Sequence, residues 1–122
     1  MIIPTWDIDR SILTAAQKAR SVTRVIICGT LLQSLSLATL FNPANTITED
    51  SYNPTTYEEG RAGPWRAAYM FSKTNAERKT WAWYEENGGI KGTGFDIVML
   101  LPPMITGRSP QVSVRGPFGF TD

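Results

Sequence analysis

Residues 21–30 read SVTRVIICGT, and the run from Val25 to Cys28 inside them decides the fold. It is short, continuously apolar and rich in β-branched residues, as expected of a strand buried on both faces. A second run, FDIVMLLPP at 95–103, has the same character and is stopped by two prolines. Between them, residues 65–86 form the longest helical stretch, closed by the NGG at 87–89. Ahead of the first run, residues 5–19 place Ile8, Ile12, Leu13, Ala16 and Ala19 at helical spacing. Pro4 just upstream and acids in the expected first turn mark that helix's start. Residues 42–64, rich in Pro, Asn, Thr and Gly, read as a long surface excursion. Helix, apolar strand, long helix, apolar strand is the alternation of an α/β protein with a parallel sheet.

With 122 residues, the chain has room for one small domain and its core. A hydrophobic content of 42% with 19% charged residues belongs to a globular protein. The net charge of +1 is spread without a basic run, so no nucleic-acid or anionic-membrane surface is expected. No apolar stretch approaches the roughly 20 residues of a membrane span, and the N-terminus lacks the pattern of a signal peptide. A single cysteine excludes an internal disulfide framework and points to a cytoplasmic protein. The chain contains no histidine, so Ser-His-Asp triads, Cys-His couples and imidazole metal sites are excluded, and no metal site is expected. Proton transfer near neutral pH is left to a carboxylate, a lysine or a tyrosine.

Tyr69 and Lys73 stand at i and i+4 and project from one side of the predicted helix. A free phenol titrates near pH ~10, and a nearby ammonium favours the phenolate. The couple therefore reads either as an acid–base pair or as a packed tyrosine beside a solvated lysine. Thr30 falls just past the carboxyl end of the first strand, where open α/β sheets place their ligand crevices. It can donate to a carbonyl oxygen or serve only as a turn residue. GGIKGTG at 88–94 is not a phosphate loop, because it follows a helix and enters a strand; it is a connection. Cys28 is expected to be a buried packing residue, and Trp65, Trp81, Trp83 and Tyr84 are expected to pack the core.

The run Tyr69-Met-Phe-Ser-Lys73-Thr-Asn-Ala76-Glu77 resembles the Tyr-x-x-Ser-Lys-x-x-Ala-Glu signature of extended short-chain dehydrogenases/reductases, within the NAD-dependent epimerase/dehydratase superfamily. The likeness is greatest to the dihydroflavonol-reductase-like branch, which includes fungal ketone and methylglyoxal reductases. SVTRVIICGT is similar to the family's strand ending in Thr-Ser-Ser, and TEDSYNPTTYEEG to its stretch between catalytic serine and tyrosine. FDIVMLLPPMITG is similar to Phe-Asp-x-Val-x-x-Asn-Pro-Pro-x-x-x-Gly. The resemblance implies part of a Rossmann-type, doubly wound parallel sheet over residues 1–107, with 108–122 a divergent tail. It implies reduction of a small aldehyde or ketone with NADP, or NAD, as cofactor. Tyr69 would pass the proton, Lys73 would hold the ribose hydroxyls and tune the phenol, and Thr30 would orient the carbonyl. Tyr69, Lys73, Pro102, Pro103 and Met104 would contact the cofactor.

The chain departs from the family at several points. Cys28 and Gly29 precede Thr30 in place of Thr and Ser, and Ile8 and Asp9 stand where Gly-Thr is usual. Leu101 replaces an asparagine and Arg108 a proline. The family's opening strand and glycine-rich loop have no counterpart in the sequence, which reads as a truncated fragment. Two readings follow: an NAD(P)H-dependent carbonyl reductase, or a catalytically inactive remnant lacking the dinucleotide-binding loop.

Overall fold

The structure, a computed structural model, describes residues 2–107; the expected tail, 108–122, lies outside the described residues. Its elements are α1 (Ile2–Ala19), β1 (Arg24–Cys28), a 3-10 turn (Leu31–Gln33), α2 (Tyr57–Ala62), α3 (Trp65–Glu86), α4 (Gly89–Thr93) and β2 (Asp96–Leu100). The two strands pair in parallel, with Arg24 opposite Asp96 and Cys28 opposite Leu100. The described residues are thus α/β with two parallel strands.

Helix α1 starts three residues earlier than the periodicity indicates, so Pro4 lies inside the first turn, where a missing N–H costs nothing. Asp7 and Asp9 consequently fall beyond that turn. Helix α3 ends where the sequence says it should. Asn87 caps it, donating its side-chain amide to the Trp83 carbonyl at 2.7 Å. Gly88 follows with φ 80°, the left-handed conformation that glycine adopts without a Cβ penalty. The glycine-rich connection beyond it contains the single turn α4, not only loop. Helix α2 also arises inside the expected surface excursion. Thr56 and Glu59 form a reciprocal capping box that supplies its first-turn donors with acceptors.

The core forms where α1 and α3 cover one face of the sheet. Leu13 of α1, Phe95 and Ile97 are buried at its centre, with Val25, Ile27, Trp81 and Tyr84 packed around them. Complete burial of a Leu or Phe side chain contributes about 1.5–3 kcal/mol before entropy is counted. Tyr84 stacks on Phe95 and donates its hydroxyl to the Phe95 carbonyl at 3.0 Å, anchoring the end of α3 to the start of β2.

Both strands were expected to be covered on each face. Instead β1 alternates, with Ile26 60% exposed, and Leu100 of β2 is 50% exposed. Because successive side chains point to opposite faces, a single helical layer covers only Val25 and Ile27. The same alternation corrects the expectation for Cys28, which is exposed rather than buried. Of the expected core aromatics, Trp81, Trp83 and Tyr84 pack as read, while Trp65 at the start of α3 is exposed.

Candidate functional site

The parallel ladder does not stop at the ends of the strands. The Gly29 N–H donates to the Leu100 carbonyl at 2.8 Å, and the Leu31 N–H to the Pro102 carbonyl at 2.9 Å. Thr30 is therefore held beside Pro102 at the carboxyl end of the sheet. The glycine-rich connection lies at the opposite end, since it leads into β2, which fits its reading as a connection.

Thr30 is also the N-cap of the 3-10 turn. Its Oγ1 accepts the Leu32 N–H at 3.4 Å, and its own N–H donates to Gln33 Oε1 at 2.7 Å. A hydroxyl used as an acceptor in this way keeps its proton for donation. Gln33 is 2% exposed, and its Nε2 donates to Glu77 Oε2 on α3 at 2.7 Å. One glutamine thus joins the turn after β1 to the helix that carries Tyr69 and Lys73. Gly29 is required for this approach: a Cβ there would stand 2.1 Å from Gln33 Oε1 and 2.9 Å from Leu101 Cδ2. Gly29 and Gln33 thus form one packing arrangement.

Asn53 secures the same turn from the other side. Its Nδ2 donates to the Leu32 and Leu35 carbonyls at 2.8 and 2.7 Å, and its N–H donates to the Gln33 carbonyl at 2.6 Å. Neither Gln33 nor Asn53 was singled out from the sequence. For Gln33 a signal existed, since Thr30-Leu-Leu-Gln33 is a capping-box spacing.

Helix α3 runs against the strands. Tyr84 meets the start of β2, whereas Lys73 and Glu77 wall a cavity of about 40 Å³ with Cys28, Gly29 and Gln33 at the strands' carboxyl end. Tyr69 stands about one turn nearer the start of α3, displaced by about 6 Å along the axis. It is half-buried. The structure thus brings Lys73 to the tip of β1, whereas Tyr69 does not line the cavity there. Thr30 does not line the Lys73 cavity; its neighbours Gly29 and Gln33 do. Pro102 is half-buried at the same end, and Pro103 and Met104 are exposed, Met104 by 86%. Beside β2 runs a wider cleft of about 470 Å³, with Tyr52, Glu77 and Trp81 on its walls. Burial above all, and then the Glu77 carboxylate, push the Tyr52 phenol above its ordinary value, against the pull of Arg78, which lies 4.4 Å over its ring.

No protein-family model matches the chain. It is 33% identical over 115 residues to the NADPH-dependent methylglyoxal reductase of Saccharomyces cerevisiae, an alignment covering 92% of this chain and 32% of that one. It is 30% identical over 89 residues to an uncharacterized oxidoreductase of the same yeast, covering 71% of this chain and 26% of the relative. Among solved structures it superimposes on a reductase engineered to attenuate substrate inhibition in asymmetric catalysis. The TM-score is 0.78 at 26% identity, over 96% of this chain and 34% of that one. A second solved chain, an SsCR variant, shares the fold with a TM-score of 0.73 at 24% identity, over 84% of this chain and 30% of that one. The chain therefore spans about a third of the length of the relatives it matches.

Proposed function

We propose that this chain, a distant homologue of extended short-chain reductases, carries the catalytic portion of an NADPH-dependent carbonyl-reduction site within a doubly wound Rossmann sheet. The observation that supports this best is the meeting of Lys73 with the end of β1, where Thr30 is already fixed beside Pro102. In this reading the Thr30 hydroxyl donates a hydrogen bond to the substrate oxygen and orients the carbonyl. Tyr69 delivers the proton that the oxygen acquires as the carbonyl is reduced. Lys73 stabilises the phenolate left behind, because an ammonium favours the charged form of a neighbouring phenol.

The residues present fit one end of a nicotinamide cofactor. Lys73 and Tyr69 supply hydrogen-bonding groups for ribose hydroxyls, and Pro102, Pro103 and Met104 offer a partly exposed surface for the ring. The cofactor, NADP or NAD, supplies the hydride when bound. Among the described residues no glycine-rich loop leads from a strand into a helix, so a pyrophosphate has no such cradle there.

The test uses the chain by itself and joined to the dinucleotide-binding half of the yeast methylglyoxal reductase. Alone, residues 1–122 are expected to bind NADPH weakly and to turn over a small aldehyde negligibly. In the joined protein, Tyr69→Phe is expected to lower carbonyl-dependent NADPH oxidation by about 10²- to 10⁴-fold. Turnover in that variant close to the parent's would show that another group supplies the proton.

A further inference from the structure

Thr5, Asp9, Leu13 and Ala16 share one face of α1, and it is the face turned to the core and α3: Leu13 is fully buried and Ala16 packs on the same cluster. Asp9 is thus a carboxylate in a stripe that packing alone would fill with an apolar side chain. The matching stripe on α3 is Tyr69, Lys73, Ala76 and Thr80, of which Ala76 and Thr80 are buried. A carboxylate withdrawn from water needs a compensating cation. Lys73 is the cation on the cavity wall that Asp9 shares, along with Cys28, Gln33 and Glu77. Glu77, the other carboxylate there, is already engaged by the Gln33 amide. The field of Lys73 reaches Asp9: burial lifts the Asp9 carboxyl above its ordinary value, and the ammonium draws it back.

We propose that Asp9 is a positioning residue for Lys73, a counter-charge on α1 that holds the ammonium at the tip of β1 instead of leaving it to swing into solvent. The inference rests on the reading of Lys73 as the reductase lysine, and it adds a role that the family's Gly-Thr at this place does not provide. Among the described residues the ion pairs within 4 Å are Arg24–Asp96 and Arg61–Glu58. Asp9 and Lys73 accordingly act across the cavity and not through direct contact.

The experiment is a double-mutant cycle in thermal stability on the 122-residue chain, with Asp9→Asn, Lys73→Met and the pair combined. Lys73→Met alone strands a half-buried carboxylate. It is expected to lower Tm by about 4 °C more than the same change made alongside Asp9→Asn. Additive shifts would overturn the pairing. A second readout is acetylation of Lys73 by an amine reagent, compared by mass spectrometry with the exposed Lys79 and Lys91. It is expected to become several-fold faster in Asp9→Asn and to stay slow in Asp9→Glu; equal rates in all three chains would also overturn the proposal. Neither measurement involves NADPH or turnover. The pairing can therefore fail while the Tyr69 chemistry stands, and the reverse.

Discussion

Replacing Gln33 by methionine tests whether one buried amide organises the site. The substitution keeps the length and most of the volume of the side chain, so little cavity is created. It removes two hydrogen bonds, the 2.7 Å donation to Glu77 and the 2.7 Å acceptance from the Thr30 N–H. A bond to a charged group contributes about 1.5–3 kcal/mol and a neutral one about 0.5–1.5 kcal/mol, so the loss is roughly 2–4.5 kcal/mol. Solvent screening does not reduce it much, because Gln33 and Glu77 are 2% and 7% exposed. At about 4 °C per kcal/mol for a domain near this size, Tm should fall by roughly 8–18 °C. Thermal melts followed by circular dichroism give the shift, and hydrogen exchange at the Thr30 amide reports the lost bond directly. Adding Glu77→Leu to Gln33→Met should recover part of the loss, since removing both partners is closer to neutral than orphaning one. A Gln33→Met chain that melts within a degree or two of the parent, with its Thr30 amide still protected, would refute the reasoning.

Thr80→Val should leave stability unchanged or raise Tm by about 4 °C or more, because the Thr80 hydroxyl is fully buried without a hydrogen-bond partner among the described residues and valine keeps its shape; a clear fall in Tm would reveal a partner for that hydroxyl. Arg20 ends α1 at φ 54°, so Arg20→Gly should stabilise by about 0.5–1 kcal/mol in urea denaturation once the added freedom of the unfolded chain is subtracted. A lower urea midpoint would show that the arginine side chain stabilises more than its backbone costs. Glu59, through hydrogen bonds from the Thr56 backbone and hydroxyl, and Asp96, through the Arg24 guanidinium, are both held below their ordinary values of 4.5 and 3.8. Their stabilisation is present above those values and is lost as pH falls through the folded ones, whereas Asp9, raised above its ordinary 3.8, works in the opposite direction. Asp96→Asn should therefore flatten the fall of Tm on acidification from pH ~5 to ~2; an unchanged slope would show that other carboxylates set it.

The sequence by itself determined the two long helices, the two strands and their order, because that information is local. Apolar runs of strand length, a 22-residue helix and the Asn-Gly stop after it are legible within a few residues of each other. So is the i, i+4 placement of Tyr69 and Lys73, which follows from helical geometry alone. Two further local signals, the Thr-x-x-Gln at 30–33 and the Thr-x-x-Glu at 56–59, cap a 3-10 turn and a helix that hydrophobic periodicity does not reveal, the helix inside the expected surface excursion. What only the tertiary structure decided is which faces meet. Composition made both strands look doubly buried, but α1 and α3 lie on one side, leaving Ile26 and Cys28 exposed. Gln33 meets Glu77 across 44 positions of sequence, and Asp9 meets the Lys73 cavity from another helix altogether. Such contacts follow from how helices dock on a sheet, and the periodicity of a single segment carries no record of the partner on its other side.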